Sequence, residues 1–110
     1  MSQDFQISVH ELKLKLEQSE PLVLIDVREN YEREISSLPQ SIHLPLGILI
    51  SNIADLDIDE DRDVIVYCRS GMRSQTAASV LRQHGVSRVY NLVGGISAWQ
   101  AEIDPSMPVA

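Results

Sequence analysis

Cysteine is almost absent from this chain: Cys68 stands alone. One thiol closes no internal disulfide and builds no thiolate metal cluster, which leaves a core thiol, a reactive thiol or an intermolecular partner. Long apolar runs are missing too, since no segment approaches the roughly 18 residues a membrane helix requires. Basic residues are few, 9 Lys and Arg against 16 Asp and Glu, and the net charge of -7 disfavours nucleic acid and anionic membranes as partners. The opening residues MSQDFQISVH lack a cationic start and an apolar signal core, so the expected location is the cytosol. The acidic run DLDIDEDRD (55–63) lacks the glycine and the closing glutamate of a helix-flanked calcium loop, which leaves a solvated loop.

What is present is ordinary globular composition, 44% hydrophobic and 23% charged, in 110 residues. A chain of this length forms one domain and hides roughly two-thirds of its unfolded surface. Phe5 and Ile7 alternate with polar neighbours as a short strand, and Ser8 with Glu11 forms a capping box for a helix whose apolar stripe is Val9, Leu12 and Leu16. Leu22 to Ile25 reads as a buried strand ended by Asp26, Val27 and Arg28, and Glu29 to Ile35 as a short charged helix. Ile42 to Leu46 is a brief extended piece, and Ile48 to Ile53 a short helix. Further on, a helix from Ser74 to about His84 is stopped by Gly85. Val89, Tyr90 and Leu92 make a strand, and Gly94-Gly95 a turn into a last helix, Ile96 to Ala101. The domain is expected to end at residue 103, with 104–110 a frayed tail. Strands alternating with helices over short connections predict a parallel sheet covered on both faces, with its ligand site at the carboxyl ends of the strands.

Both Asp26 and Cys68 fall at such ends. In VIVYCRSGMRS (64–74) four β-favouring residues lead into the cysteine, Ser70 and Gly71 break the pattern, and a helical spacing begins at Ser74. A thiolate is stabilised by cations, by a helix N-terminus and by convergent backbone amides, and this loop can supply all three. If the six residues Cys68 to Arg73 curl into a semicircle, their amides face the sulfur and the thiol pKa falls below its free value of about 8.5. Gly71 allows the tight path, Arg69 and Arg73 hold an anionic group, and Met72 offers an apolar loop tip to a partner. A buried, inert strand-end thiol is the plain alternative.

These residues carry a resemblance. LIDVRE (24–29), Ile42 to Leu46 ending in Pro-Leu, VYCRSGMRS, and VYNLVGGISAW (89–99) together resemble the single-domain rhodaneses, sulfurtransferases that carry sulfane sulfur as a cysteine persulfide. The resemblance implies an α/β three-layer domain, a five-stranded parallel sheet with helices on both faces. It places the persulfide on Cys68, the active-site loop on Arg69, Ser70, Gly71, Met72 and Arg73, and Asp26, Arg28 and Ser74 in support. For Asp26 a strand-end cap, and for Arg28 pairing with a nearby carboxylate, are the structural alternatives. The implied partners are a small anionic sulfur donor such as thiosulfate and a thiol or sulfur-carrier protein; no cofactor, no metal and a monomeric state are expected. Ser36 to Ser41 replaces the family's common Gly-His-Ile-Pro-Gly-Ala, so any role of that histidine is lost. Glu34 and Ile35 before Leu38-Pro39 are similar to rhodanese domains fused to activating enzymes of sulfur-carrier pathways, which hints at a protein acceptor. His10, His43 and His84 are scattered and expected in surface or core roles.

Two other readings compete. Cysteine phosphatases and arsenate reductases of related fold have a loop one residue longer before the arginine; here Arg73 is five residues after Cys68, a smaller cradle suited to one transferred sulfur. A binding module without turnover is the other, opposed by the intact cysteine and both arginines.

Overall fold

A computed structural model describes residues 5–58 and 61–110. Five strands form one all-parallel sheet: β1 (Gln6–Ile7), β2 (Leu22–Asp26), β3 (Ile42–His43), β4 (Asp63–Tyr67) and β5 (Val89–Leu92). They lie in the order β1-β5-β4-β2-β3, so β4, which leads into Cys68, is the central strand. The connections carry α1 (Val9–Glu17), α2 (Asn30–Ile35), α3 (Leu46–Ser51) with a 3-10 turn at Ile53–Asp55, α4 (Met72–Gln83) and α5 (Gly95–Glu102).

The inner strands β2, β4 and β5 are buried on both faces, and their side chains alternate between two cores, whereas Ile42 of the edge strand β3 is exposed. Ile65 and Tyr67 join Leu24, Leu92 and the α1 and α5 residues Leu12, Ile96 and Trp99 on one face. Val64, Val66 and Cys68 join Ile25, Leu49 of α3 and Ala77, Ala78 and Leu81 of α4 on the other. Each fully buried Leu, Ile or Val contributes about 1.5–3 kcal/mol relative to exposure, so two such clusters hold the layers firmly.

The Ser8–Glu11 capping box starts α1 as expected, each partner bonding the other's backbone. Two expectations need correction. The tail is not frayed: Met107 and Val109 pack on the first core, and the Ser36 hydroxyl donates to the Pro108 carbonyl at 2.5 Å. The helix after the cysteine begins at Met72, not Ser74, because Gly71 takes a left-handed φ of +111° and turns the chain into α4 early. Part of the acidic run, residues 59–60, lies outside the described residues. Among the described residues, no helix is long and apolar enough to cross a membrane.

Candidate active site

Cys68 follows the last residue of β4 and is 1% exposed. The Gly71 amide donates to Sγ at 3.1 Å and the Ser74 amide at 3.5 Å, while the Ser74 Oγ is 3.4 Å away. Burial pushes the thiol pKa up; the Ser74 hydroxyl and the amides of Ser74, Gly71 and Ser70 pull it down, and the net direction is below the ordinary cysteine value. Along the anticipated semicircle the amides of Ser70 and Gly71 face the sulfur, and that of Ser74, just beyond it in the first turn of α4, joins them.

The amides face the sulfur because the carbonyls are held on the opposite side. At the start of α5, the Ile96 amide takes the Cys68 carbonyl at 2.9 Å and the Ser97 amide takes the Arg69 carbonyl at 3.0 Å. Free N–H groups of a helix's first turn seek such acceptors. Gly95 lets the two segments meet: a Cβ there would lie 2.5 Å from the Arg69 carbonyl oxygen and closer still to that of Cys68, and its φ of +59° is left-handed. The Gly-Gly pair before the last helix thus builds the cysteine loop, a role beyond the turn expected of it.

The arginines diverge. Arg69 is exposed and, among the described residues, its side chain makes no hydrogen bond or ion pair. Arg73 does not stand free as an anion clamp: both its terminal nitrogens bond Glu32 of α2, at 2.6 and 2.8 Å. The Arg73 guanidinium holds the Glu32 carboxyl down at about 2, against a smaller opposing effect of burial. Ser70 is exposed, and Met72 is 80% exposed beside it. Ser70 and Met72 line a shallow groove of about 390 Å³ with Gln6, Gln75, Asn91 and Val93. A second cleft, between the 3-10 turn and the end of α4, lies at the other end of the strands, away from the cysteine.

Asp26 and Arg28 are both fully buried and bond each other, Nε to Oδ1 at 3.0 Å and Nη2 to Oδ2 at 2.9 Å. The Tyr67 hydroxyl donates to the same carboxylate at 3.0 Å, and Arg33 adds a bond at 3.2 Å. Burial pushes the Asp26 carboxyl up, but the bonds from Arg28 and Tyr67 outweigh it and hold it below the ordinary value. Among the described residues neither Asp26 nor Arg28 bonds the sulfur. Their pairing fixes the end of β2 and the Ser36–Ser41 segment, where Arg28 bonds the Ser36 carbonyl at 2.6 Å and Tyr67 meets both the Leu38 amide and the Ser41 hydroxyl at 3.1 Å. The segment without the histidine is thus held by serine oxygens. His43 meets the Arg28 carbonyl, His10 meets Glu102 on the surface and His84 the Val80 carbonyl, all away from the cysteine loop.

Known proteins share this arrangement of sequence and fold. A family model described as the rhodanese-like domain matches residues 8–102. The chain belongs to this family. Over 94 residues it is 38% identical to a protein of Allochromatium vinosum named sulfurtransferase, covering 86% of each chain. It is 33% identical over 116 residues to the Arabidopsis thaliana adenylyltransferase and sulfurtransferase MOCS3, matching 93% of this chain and 25% of that protein. The crystal structure of a rhodanese-like domain protein from Staphylococcus aureus superposes with a TM-score of 0.78 at 26% identity, covering 96% of this chain and 97% of that one. Within this rhodanese domain three site residues escaped sequence reasoning. Glu32 was hidden in a charged helix, though its place three residues after Glu29 marks a capping box. Asn91 is a polar residue in a strand buried on both faces, a signal in itself. Gly95 was assigned only to a turn.

Proposed function

We propose that this protein is a sulfurtransferase that carries sulfane sulfur on Cys68. The observation that carries the reading is the buried Cys68 sulfur faced by the Gly71 and Ser74 amides, with Arg69 exposed at the rim. Family membership and the sulfurtransferase names of its relatives support it. Such a sulfur is ionised more readily than an ordinary thiol and needs no general base.

The Cys68 thiolate attacks the outer sulfur of thiosulfate. A new S–S bond forms as the donor's S–S bond breaks, and sulfite leaves with that bond's electron pair. The product is a Cys68 persulfide anion, which takes the place of the thiolate in front of the same amides. An acceptor, cyanide in vitro or a thiol of a small molecule or protein in the cell, then attacks the outer sulfur and releases the Cys68 thiolate. With no second cysteine in the chain, discharge requires that other molecule. The exposed Met72 and the groove beside it favour a protein acceptor or donor at this rim.

The test is the intact mass after incubation with thiosulfate, mercaptopyruvate or a persulfide-loaded donor protein. One added sulfur is expected, absent from Cys68→Ser and removed by cyanide. No adduct from any of the donors rejects the reading, and an unreactive Cys68 would favour a binding module instead.

A further inference from the structure

Ser74 is fully buried, and its hydroxyl stands between two acceptors: the Asn91 Oδ1 at 2.5 Å and the Cys68 sulfur at 3.4 Å. A hydroxyl has one proton, so it serves one of them at a time. The orientation of the Asn91 amide decides which. Its nitrogen faces the Gly71 carbonyl at 3.3 Å, an atom that only accepts, and also Gln75 at 3.0 Å and Gln6 at 3.3 Å. Turned over, the amide would set its carbonyl oxygen against that of Gly71, and its nitrogen would donate to the Ser74 oxygen instead of accepting the hydroxyl proton. Oδ1 therefore faces Ser74 and takes the proton, and a lone pair of Oγ is left towards the sulfur. That lone pair suits a thiol, whose S–H can donate to it; once the thiol ionises the hydroxyl turns to the sulfur, the downward pull described above, and gives up its bond to Asn91.

We propose that Asn91 is a positioning residue that acts on Cys68 through Ser74, holding the hydroxyl proton away from the sulfur so that ionisation of the thiol must break the Ser74–Asn91 bond. The amide cradle favours the thiolate, and Asn91 moderates it. A less acidic thiol is intrinsically the stronger nucleophile, so the setting trades thiolate fraction against reactivity. The charged groups around the sulfur are Arg69 beside it, Arg73 of α4 with its partner Glu32 of α2, and the Asp26–Arg28 pair at the end of β2. The first turn of α5 and strand β5 bring no charge. Exchanging Asn91 for an apolar residue therefore changes the competition for one proton and leaves every charge in place.

The proposal deepens the sulfurtransferase reading, but its test does not depend on turnover. Cys68 is the only cysteine, so the rate of alkylation by iodoacetamide against pH reports its ionisation directly. In Asn91→Leu the freed hydroxyl donates to the thiolate, and the midpoint falls by about one pH unit. In Ser74→Ala the midpoint stays near that of the wild type, because the hydroxyl's bond to the thiolate there only replaces its bond to Asn91. The double variant follows Ser74→Ala. A midpoint that rises by a unit or more in Ser74→Ala overturns the proposal, as does an equal fall in Asn91→Leu and the double variant. Should circular dichroism show Asn91→Leu unfolded, Ser74→Ala alone decides by the same criterion. Failure of every donor to form a persulfide rejects sulfur transfer and leaves these midpoints as they are.

Discussion

Glu32 takes both terminal nitrogens of Arg73, at 2.6 and 2.8 Å, and is itself only 4% exposed. The same carboxylate accepts the Glu29 amide at 2.9 Å and so closes the start of α2. One side chain thereby joins the first turn of α4, next to the cysteine, to the helix that follows β2. The second arginine of the loop is a strut, and Arg69 is the loop arginine without an ion pair among the described residues.

Removing that carboxylate tests the strut. Glu32→Gln should cost about 1–2 kcal/mol in urea unfolding at neutral pH, less than for a fully buried pair because Arg73 is a third exposed. The sign with pH follows from the depressed carboxyl. Its contribution is full above the ordinary glutamate value of 4.5 and is lost as pH falls towards about 2. The difference between wild type and variant should shrink across that range; a gap that is constant with pH would assign the loss to packing instead.

Gly95→Ala probes the contact between α5 and the loop. An added methyl would press on the Cys68 and Arg69 carbonyls in a left-handed backbone, where a non-glycine residue alone costs about 1–3 kcal/mol. Thermal unfolding should move down by several degrees, and alkylation of Cys68 at neutral pH should slow because its amides turn away. Wild-type alkylation in a destabilised variant would show that the α5 amides do not orient the loop.

How far the sequence could be read is explained by where each interaction lies. The Ser8–Glu11 box and the strand at 64–67 are local patterns, and both stand where periodicity and capping place them. Cys68 was legible because the break after β4 is also local. The Glu32–Arg73 pair spans 41 residues and the Asn91–Ser74 bond spans 17, and nothing in either neighbourhood names the partner. The tail differs from expectation for the same reason: Pro105 and Pro108 argue locally for fraying, whereas Met107 and Val109 find a core built from distant strands. The start of α4 was missed by two residues because Gly71 acts as the N-cap through its φ, which no side-chain capping signal announces.

Asp26→Asn tests the buried pair at the end of β2. It leaves the Arg28 guanidinium, which is fully buried, without its full countercharge, and breaking such a pair costs about 3–5 kcal/mol. Because the Asp26 carboxyl is held below its ordinary value, the wild-type advantage is present at neutral pH and fades in acid. Urea midpoints at neutral and acid pH measure both effects. A variant as stable as the wild type would mean that the Tyr67 ring, 5.6 Å from the Arg28 guanidinium, and the Ser36 carbonyl suffice to hold Arg28.

Arg69→Ala tests how an anionic donor is held. Arg69 is exposed and, among the described residues, its side chain makes no hydrogen bond or ion pair, so its loss should leave stability unchanged. A cation at the rim is worth about 1 kcal/mol to a bound anion, so KM for thiosulfate should rise about fivefold with kcat little altered. The difference should narrow at high salt, which screens an exposed charge. A persulfide donor without the sulfonate charge should show no such change, and that contrast separates anion binding from chemistry at the sulfur. Equal KM values for thiosulfate in wild type and variant would leave the loop amides and the positive end of α4 as the donor's only positive surroundings, since Arg73 is already neutralised by Glu32.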